Sequence, residues 1–157
     1  MSKVAIVQIE SSTEKRENLR RALELIKDSK SGGADLVVFP EFLMAFSPAS
    51  QTAKELAQVA EPLQGYFVTA LKEAAKATRT AIVATIYETC TIPDRVYDSA
   101  LWIDTEGNIA AVYRKLHLYD ALGFREPAKS AAGVDLTPPV TFEDGCYGMM
   151  ICYDLRF

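Results

Sequence analysis

The apolar runs of this chain are short, and amphipathic segments separate the first three of them. Residues 3–9 are rich in β-branched side chains, which is typical of a buried strand. Residues 36–39 and 81–87 are apolar runs of similar length that follow intervening helical segments. Alternation of strands and helices in this order predicts β-α units whose strands share one sheet.

The first helical segment has a start signal, an apolar face and a stop signal. Ser11 followed by Glu14 has the spacing of a capping box, which predicts that a helix begins there. Gly32 and Gly33 predict where it ends. The apolar face of this helix consists of Leu19, Ala22, Leu23 and Ile26.

The second helical region covers residues 51–78 and is broken near Pro62, because proline interrupts helical hydrogen bonding. Its later apolar face consists of Phe67, Leu71, Ala74 and Thr78. Beyond residues 81–87 the strands are joined by short turns. We expect one hairpin from residues 98–103 and 109–113, and another from residues 141–142 and 147–152.

This order of elements predicts an α/β (α+β) fold with a mixed sheet and helices on a face, in a single domain over residues 1–157. Residues 116–139 form a long irregular stretch, and loops of that length are usually functional or disordered. Residues 147–152 have the composition of an interior strand, yet no helix follows them to cover the sheet. The sequence is therefore expected to be cut short at its C-terminal end.

Composition excludes several classes of function. The net charge is -4 and basic residues are scattered, which argues against a nucleic-acid partner. No apolar stretch approaches the roughly 20 residues needed to span a bilayer, and no signal peptide is recognisable, so a cytoplasmic protein without a membrane partner is expected. Cys90, Cys146 and Cys152 are interpreted as reduced thiols because they form no paired spacing.

Three reactive side chains follow apolar runs. Glu41 follows residues 36–39 and Pro40, Lys115 follows residues 109–113 and Arg114, and Cys152 ends residues 147–152. Because ligands of open α/β sheets bind where strands end, we expect a carboxylate, an ammonium and a thiol to converge. Such a set can perform nucleophilic hydrolysis, with the cation favouring thiolate and the carboxylate acting as a base.

Each of these residues also has a structural interpretation. Cys152 could be a small buried apolar residue, Lys115 a solvated charge at a strand end, and Glu41 a first-turn acid of a helix. The one histidine, His117, would be the base of a rival Cys-His hydrolase, but we favour a structural hydrogen-bonding role or a place in the wall of the substrate pocket. One histidine without cysteine pairs does not suit a metal site, and no glycine-rich phosphate loop is present.

The three segments around these residues resemble signatures of the nitrilase superfamily, the carbon-nitrogen hydrolases. They read Phe-Pro-Glu-Phe at residues 39–42, Tyr-Arg-Lys-Leu-His-Leu-Tyr-Asp at residues 113–120, and Met-Ile-Cys-Tyr-Asp-Leu-Arg-Phe at residues 150–157. The resemblance extends over the whole chain, including Val-Ala-Ile-Val-Gln at residues 4–8. It implies an α-β-β-α sandwich of which this chain is the N-terminal part, ending after the nucleophile segment.

The resemblance also implies residue roles. Glu41 would be the general base, Lys115 the oxyanion stabiliser and Cys152 the nucleophile that forms a thioester. A second glutamate is expected at Glu126, within Phe-Arg-Glu-Pro. The backbone N–H of Tyr153 would add a second oxyanion contact. No metal and no organic cofactor is implied.

Within the superfamily, Cys-Tyr-Asp-Leu-Arg-Phe is similar to the Nit branch of small-acid amidases, which includes ω-amidases. The resemblance therefore implies an amidase that releases ammonia from a small amide, in a homodimer or higher homo-oligomer. Arg156 is a candidate for binding a substrate carboxylate, although a structural salt bridge is an equal alternative. The competing hypothesis is a non-catalytic, partner-dependent protein with this fold that acts by association.

Overall fold

The computed structural model describes residues 2–157 and contains a five-stranded mixed sheet in the order β1-β2-β3-β4-β5. The first three strands are parallel to one another, whereas β3, β4 and β5 pair antiparallel. The strands span Val4–Ile6 (β1), Leu36–Val38 (β2), Ala81–Thr89 (β3), Val96–Ile103 (β4) and Ile109–Arg114 (β5). The predicted mixed α/β sheet is thus confirmed.

Helices cover one face of this sheet. They span Lys15–Ser31 (α1), Ala53–Val59 (α2) and Tyr66–Thr78 (α3). The helices pack against alternate strand residues, because successive side chains of a strand point to opposite faces. The main core joins Ile26 of α1 and Leu71 of α3 to Val37, Ile82 and Leu101 of the sheet. No helix within residues 2–157 is long and apolar enough to cross a lipid bilayer.

A small hairpin packs on the opposite face. It consists of Val140–Phe142 (β6) and Gly145–Tyr147 (β7), which pair antiparallel. Phe142 and Tyr147 contact the ring of Trp102, with centroid separations of 5.7 and 5.5 Å. Trp102 and Leu36 belong to the buried cluster on this side of the sheet.

Several predicted element boundaries were wrong. The capping box of Ser11 and Glu14 does not form: α1 begins at Lys15 with Glu14 at its N-cap and no side-chain cap. Ser12 instead accepts a hydrogen bond from the Glu14 backbone N–H. The three-residue spacing favoured Ser11, but the hydroxyl of Ser12 is the one that reaches the first turn.

Two predicted buried strands also differ from expectation. β1 is an edge strand that pairs only with β2, and its Ile6 is 83% exposed instead of buried. The run at residues 147–152 leaves the hairpin after Tyr147 and does not continue as an interior strand. It ends in a 3-10 turn at Cys152–Arg156, which places the cysteine on a bend.

Candidate active site

Glu41 lies in a turn directly after β2 that the neighbouring strand holds in place. The hydroxyl of Thr85 on β3 donates to the carbonyl oxygen of Pro40 at 2.9 Å and accepts from the N–H of Leu43 at 3.2 Å. The turn includes Phe42 in a left-handed conformation with φ of 65°. One buried hydroxyl therefore bridges both sides of Glu41 and fixes the direction in which the carboxylate leaves the backbone.

Lys115 follows the end of β5 and is almost fully buried, with 2% of its side chain exposed. Its backbone N–H donates to the carbonyl oxygen of Asp98 at 2.9 Å, which extends the pairing of β4 and β5 by one residue. Its Nζ lies 2.6 Å from Oε1 of Glu41 and 3.0 Å from Oε2 of Glu126. Two carboxylates therefore hold this buried ammonium from different parts of the chain.

Cys152 lies on a strained bend between an extended segment and the 3-10 turn. Its φ is 45°, a left-handed conformation that is uncommon for a residue with a side chain. The preceding Ile151 is buried, whereas Cys152 itself is exposed. The bend thus anchors the backbone on one side and presents the thiol to solvent on the other.

Asp154 stabilises this bend and connects it to the end of β5. Its carboxylate accepts from the hydroxyl of Tyr113 at 2.7 Å, from the N–H of Ile151 at 3.0 Å and from the N–H of His117 at 2.9 Å. Burial alone would raise the pKa of Asp154, but these donors outweigh it and lower the pKa below its usual range. Because Tyr113 and His117 flank Lys115, Asp154 couples the position of Cys152 to that of the lysine.

A cavity of about 460 Å³ opens over these groups. Glu41, Lys115, Glu126 and Cys152 all contribute to its lining. Much of the remaining wall is aromatic or aliphatic, from Phe42, Phe46, Leu56, Tyr87, Tyr119 and Phe124. Small-molecule sites usually have this composition, a largely apolar wall with a few polar groups.

The electrostatics favour a charged lysine beside an uncharged thiol. Burial lowers the pKa of Lys115, but the hydrogen bond and charge of Glu41, with the charge of Glu126, raise it above its usual value overall. Burial raises the pKa of Cys152 to about 11, with a further contribution from the negative charge of Glu41 that Lys115 only partly offsets. At neutral pH the thiol is therefore protonated and needs a base to become a nucleophile.

The carboxyl groups of Glu41, Asp98 and Glu126 cluster, with one oxygen of each lying within 4.8 Å of the others. Three ionised carboxylates this close together repel one another unless a cation or a proton reduces their charge, and oxygen-rich clusters can bind a hard metal ion. Here the ammonium of Lys115 contacts two of the three carboxyl groups. A side chain of the protein therefore supplies positive charge to this cluster.

The chain matches the sequence profile of the carbon-nitrogen hydrolase family over residues 3–157. It belongs to the carbon-nitrogen hydrolases. A Mycobacterium tuberculosis protein described only as a hydrolase is 34% identical over 99% of this chain. The deaminated glutathione amidase of Escherichia coli O157:H7 is 32% identical over 89% of the chain. The chain covers 54% and 52% of these two relatives, so it spans about half their length.

Solved carbon-nitrogen hydrolases have the same fold. The structure of Saccharomyces cerevisiae Nit3, described as a member of branch 10 of the nitrilase superfamily, matches 99% of this chain with a TM-score of 0.83 and 27% identity. The match covers 57% of Nit3. The Caenorhabditis elegans NitFhit protein matches all of the chain with a TM-score of 0.86 at 24% identity, over 40% of its own length. The predicted resemblance to the nitrilase superfamily is confirmed.

The structure separates the predicted site residues into two groups. Glu41, Lys115, Cys152 and Glu126 line the cavity of this carbon-nitrogen hydrolase. His117 does not line it: its Nδ1 lies 2.9 Å from Oδ1 of Asp154 and its ring stacks on Phe157 at 4.0 Å. The structural role that we favoured for His117 matches these contacts, and a place in the pocket wall does not.

Arg156 and Tyr153 complete the predicted set. Arg156 is exposed in the 3-10 turn and does not line the cavity, so its expected contact with substrate is not supported by its position. Tyr153 follows Cys152 in the first turn of the same 3-10 segment, where backbone N–H groups lack a partner within the helix. Its N–H is thus available near the thiol.

Sequence reasoning missed other residues of the site. Arg125 and Lys129 line the cavity and bring positive charge to a wall that is otherwise largely apolar. The signal that could have identified them was their position in the long loop that also contains Glu126. Asp98 and Asp154 were also missed as site residues, and both are buried. A signal existed for Asp98, because an acid in the apolar run 98–103 is expected to be buried, and buried acids usually have a partner or a function.

Proposed function

We propose that this carbon-nitrogen hydrolase is an amidase that hydrolyses a small carboxamide through a thioester on Cys152. The observation that carries the proposal is that Cys152, Glu41 and Lys115 line one cavity, with Lys115 ion-paired to both Glu41 and Glu126. A nucleophile, a base and a fixed cation beside an apolar pocket are the groups that acyl transfer requires. The amidase relatives support the same class of reaction.

The first step is attack by sulfur. Because the pKa of Cys152 is raised to about 11, the thiol needs a base, and the Glu41 carboxylate lines the same cavity. Glu41 accepts the proton as the S–C bond forms at the amide carbonyl. The Cys152 backbone is held in an uncommon conformation, so the thiol is aimed before substrate arrives.

The tetrahedral intermediate carries a negative oxygen that needs donors. The ammonium of Lys115 is fixed by two carboxylates and does not have to reorganise as charge develops. The N–H of Tyr153 is the second proposed donor. Two such contacts stabilise the oxyanion more than they stabilise the neutral carbonyl, which lowers the barrier.

The later steps return the site to its starting state. The C–N bond breaks as Glu41 passes the proton to the leaving nitrogen, and ammonia departs. A water molecule then attacks the thioester while Glu41 accepts one of its protons, and the C–S bond breaks to release a carboxylic acid. The proton on Glu41 returns to the sulfur of Cys152, and no cofactor enters this sequence.

The composition of the cavity wall supports a proposal for the substrate. Aromatic side chains such as Phe46 and Phe124 suit the carbon chain of a small acyl group. The guanidinium of Arg125 suits a carboxylate at the far end of that chain, because it can bind both oxygens at once. We therefore propose an amide that carries a second, anionic group. Arg125, rather than Arg156, is the proposed partner of that group.

We further propose that the protein acts in the cytoplasm as a homodimer or higher homo-oligomer. The competing hypothesis, a non-catalytic protein of this fold that acts by association, predicts that Cys152 reacts with thiol reagents no faster than Cys90 or Cys146. A Cys152 that is selectively protected from such reagents by small amides would contradict that alternative.

Ammonia release from a panel of small amides tests the proposal. The protein as purified from its source should release ammonia, and Cys152→Ala should abolish this release. Cys146→Ala is the matched control, since Cys146 is also an exposed thiol but does not line the cavity. Undiminished release by Cys152→Ala would refute the mechanism.

A further inference from the structure

Asp98 is a buried acid whose backbone and side chain both serve the site. It lies near the start of β4, and its carbonyl oxygen accepts the N–H of Lys115 at 2.9 Å. The residue as a whole is 2% exposed. The residue that accepts the backbone N–H of Lys115 therefore also brings a carboxyl group next to those of Glu41 and Glu126.

The surroundings of Asp98 contain more acids than cations. Glu41 reaches it from the turn after β2, Glu126 from the long loop, and Lys115 from the end of β5. Tyr87 of β3 borders the same small cavity as Asp98. The thiol of Cys152 is a neighbour of Glu41. The remaining neighbours of Asp98 on β3 and in the Glu41 turn are uncharged, and they include Thr85, Ile86, Phe42 and Met44.

One oxygen of Asp98 has no conventional partner. Within residues 2–157, Oδ2 is buried without a hydrogen-bond donor. The ammonium of Lys115 makes its contacts with Glu41 and Glu126 instead. An ionised carboxylate would thus have a buried oxygen without a donor beside two other negative groups, which is unfavourable on both counts.

A protonated carboxyl group resolves this arrangement. Its O–H would be a donor, and the acceptor would be the Glu41 carboxylate, which has an oxygen within 4.8 Å of an oxygen of Asp98. Burial and the charge of Glu41 both raise the pKa of Asp98 well above its usual range. The same geometry therefore accounts for the orphaned oxygen and for the excess of acids over cations.

We propose that Asp98 is a positioning residue that keeps its proton at neutral pH and donates a hydrogen bond to the carboxylate of Glu41. Glu41 is then held between two donors, Lys115 at Oε1 and the acid of Asp98. The neutral acid orients the base without competing with it for a proton. If Asp98 ionised, its negative charge would repel that of Glu41, and the hydrogen bond that orients the base would be lost.

Infrared difference spectroscopy tests the protonation directly and does not depend on turnover. Wild-type protein at neutral pH should have the carbonyl stretch of a neutral carboxylic acid, and Asp98→Asn should lack it. Glu88→Gln is the matched control, because Glu88 is also buried but is paired with Arg114 at 2.6 Å and should contribute no such band. Absence of the band in the wild type, or its persistence in Asp98→Asn, would overturn the proposal.

Kinetics tests the positioning role, which rests on the proposed function. Asp98→Asn keeps a neutral donor of the same shape and should lose less than about threefold in kcat, whereas Asp98→Leu should lose about tenfold to a hundredfold with little change in KM, the effect of one lost charge-assisted hydrogen bond. Equal losses in both variants would overturn the role. If Cys152→Ala retained turnover while the infrared band was present, the amidase mechanism would fail and the protonation of Asp98 would stand.

Discussion

Nζ of Lys115 lies 2.6 Å from Oε1 of Glu41, although the two residues are 74 positions apart in the sequence. Glu126 contacts the same Nζ at 3.0 Å. The buried ammonium therefore joins the turn after β2, the end of β5 and the long loop. Because it is fixed by these contacts before substrate binds, it can stabilise a developing oxyanion without rearrangement.

Removal of Lys115 should affect both stability and turnover. Lys115→Met leaves two carboxylates beside each other without a cation, so we expect a loss of about 3–5 kcal/mol in the free energy of unfolding, typical of a broken buried ion pair. Turnover should fall by about a hundredfold or more, because one oxyanion donor is lost. Urea unfolding and ammonia release measure the two effects.

Lys54→Met is the control, since Lys54 is an exposed lysine on α2. It should change stability by no more than about 0.5 kcal/mol. A Lys115→Met protein that is as stable as the wild type would contradict the account of a buried ion pair.

Glu41→Gln should separate two effects of Glu41: its action as a base, and the effect of its negative charge on the pKa of Cys152. The negative charge of Glu41 raises the pKa of the Cys152 thiol, so its removal should lower that pKa from about 11 and produce more thiolate at a given pH. Turnover should nevertheless be lost, because glutamine cannot accept the proton. The pH dependence of alkylation at Cys152, measured with Cys90 and Cys146 replaced by serine, tests the first effect. An unchanged alkylation profile would show that Glu41 does not act on the thiol.

Substitution of Arg125 should change substrate selection more than chemistry. Arg125→Gln should raise KM about tenfold or more for amides with a distal carboxylate, and leave KM for uncharged amides nearly unchanged, because one bidentate ion pair is lost. Arg156→Gln is the matched control, as Arg156 is exposed outside the cavity. A larger effect of Arg156→Gln than of Arg125→Gln would restore Arg156 as the carboxylate partner.

Asp154 should make stability depend on pH. Its folded pKa is lowered, so its contribution is fully present above the unfolded value of about 3.9 and is lost as the pH falls through the folded pKa. Asp154→Asn should be less stable than the wild type by about 1–3 kcal/mol at neutral pH, and this difference should shrink below about pH 4. Urea unfolding across this pH range measures it, and a difference that does not change with pH would contradict the assignment.

Features that depend on local patterns could be predicted from the sequence. The strand ends at Glu41 and Lys115 were readable because each polar residue follows an apolar run, and strand ends of one sheet lie at a common edge. Cys152 was expected at the end of a strand and instead lies on a bend with φ of 45°. The residue was found, but its strained backbone was not, since no short pattern indicates a left-handed cysteine.

Features that depend on contacts between distant segments could not be predicted. Asp154 accepts from His117 and Tyr113, which are 37 and 41 residues away, and neither pairing has a periodic signal. Arg125 lines the cavity because the loop folds over it, and loop paths are not determined by hydrophobic periodicity. Glu126 lies in the same loop, so hydrophobic periodicity did not identify it, and it was predicted only from the resemblance to a family.

The central claim is that Cys152 carries the acyl group during turnover. Acid quenching during turnover of a small amide, followed by peptide mass spectrometry that assigns the modified residue, should find the acyl mass on Cys152 and none on Cys90 or Cys146. The adduct should disappear after treatment with hydroxylamine, as expected of a thioester. Ammonia release without an adduct on Cys152, or with the adduct on another residue, would contradict the account.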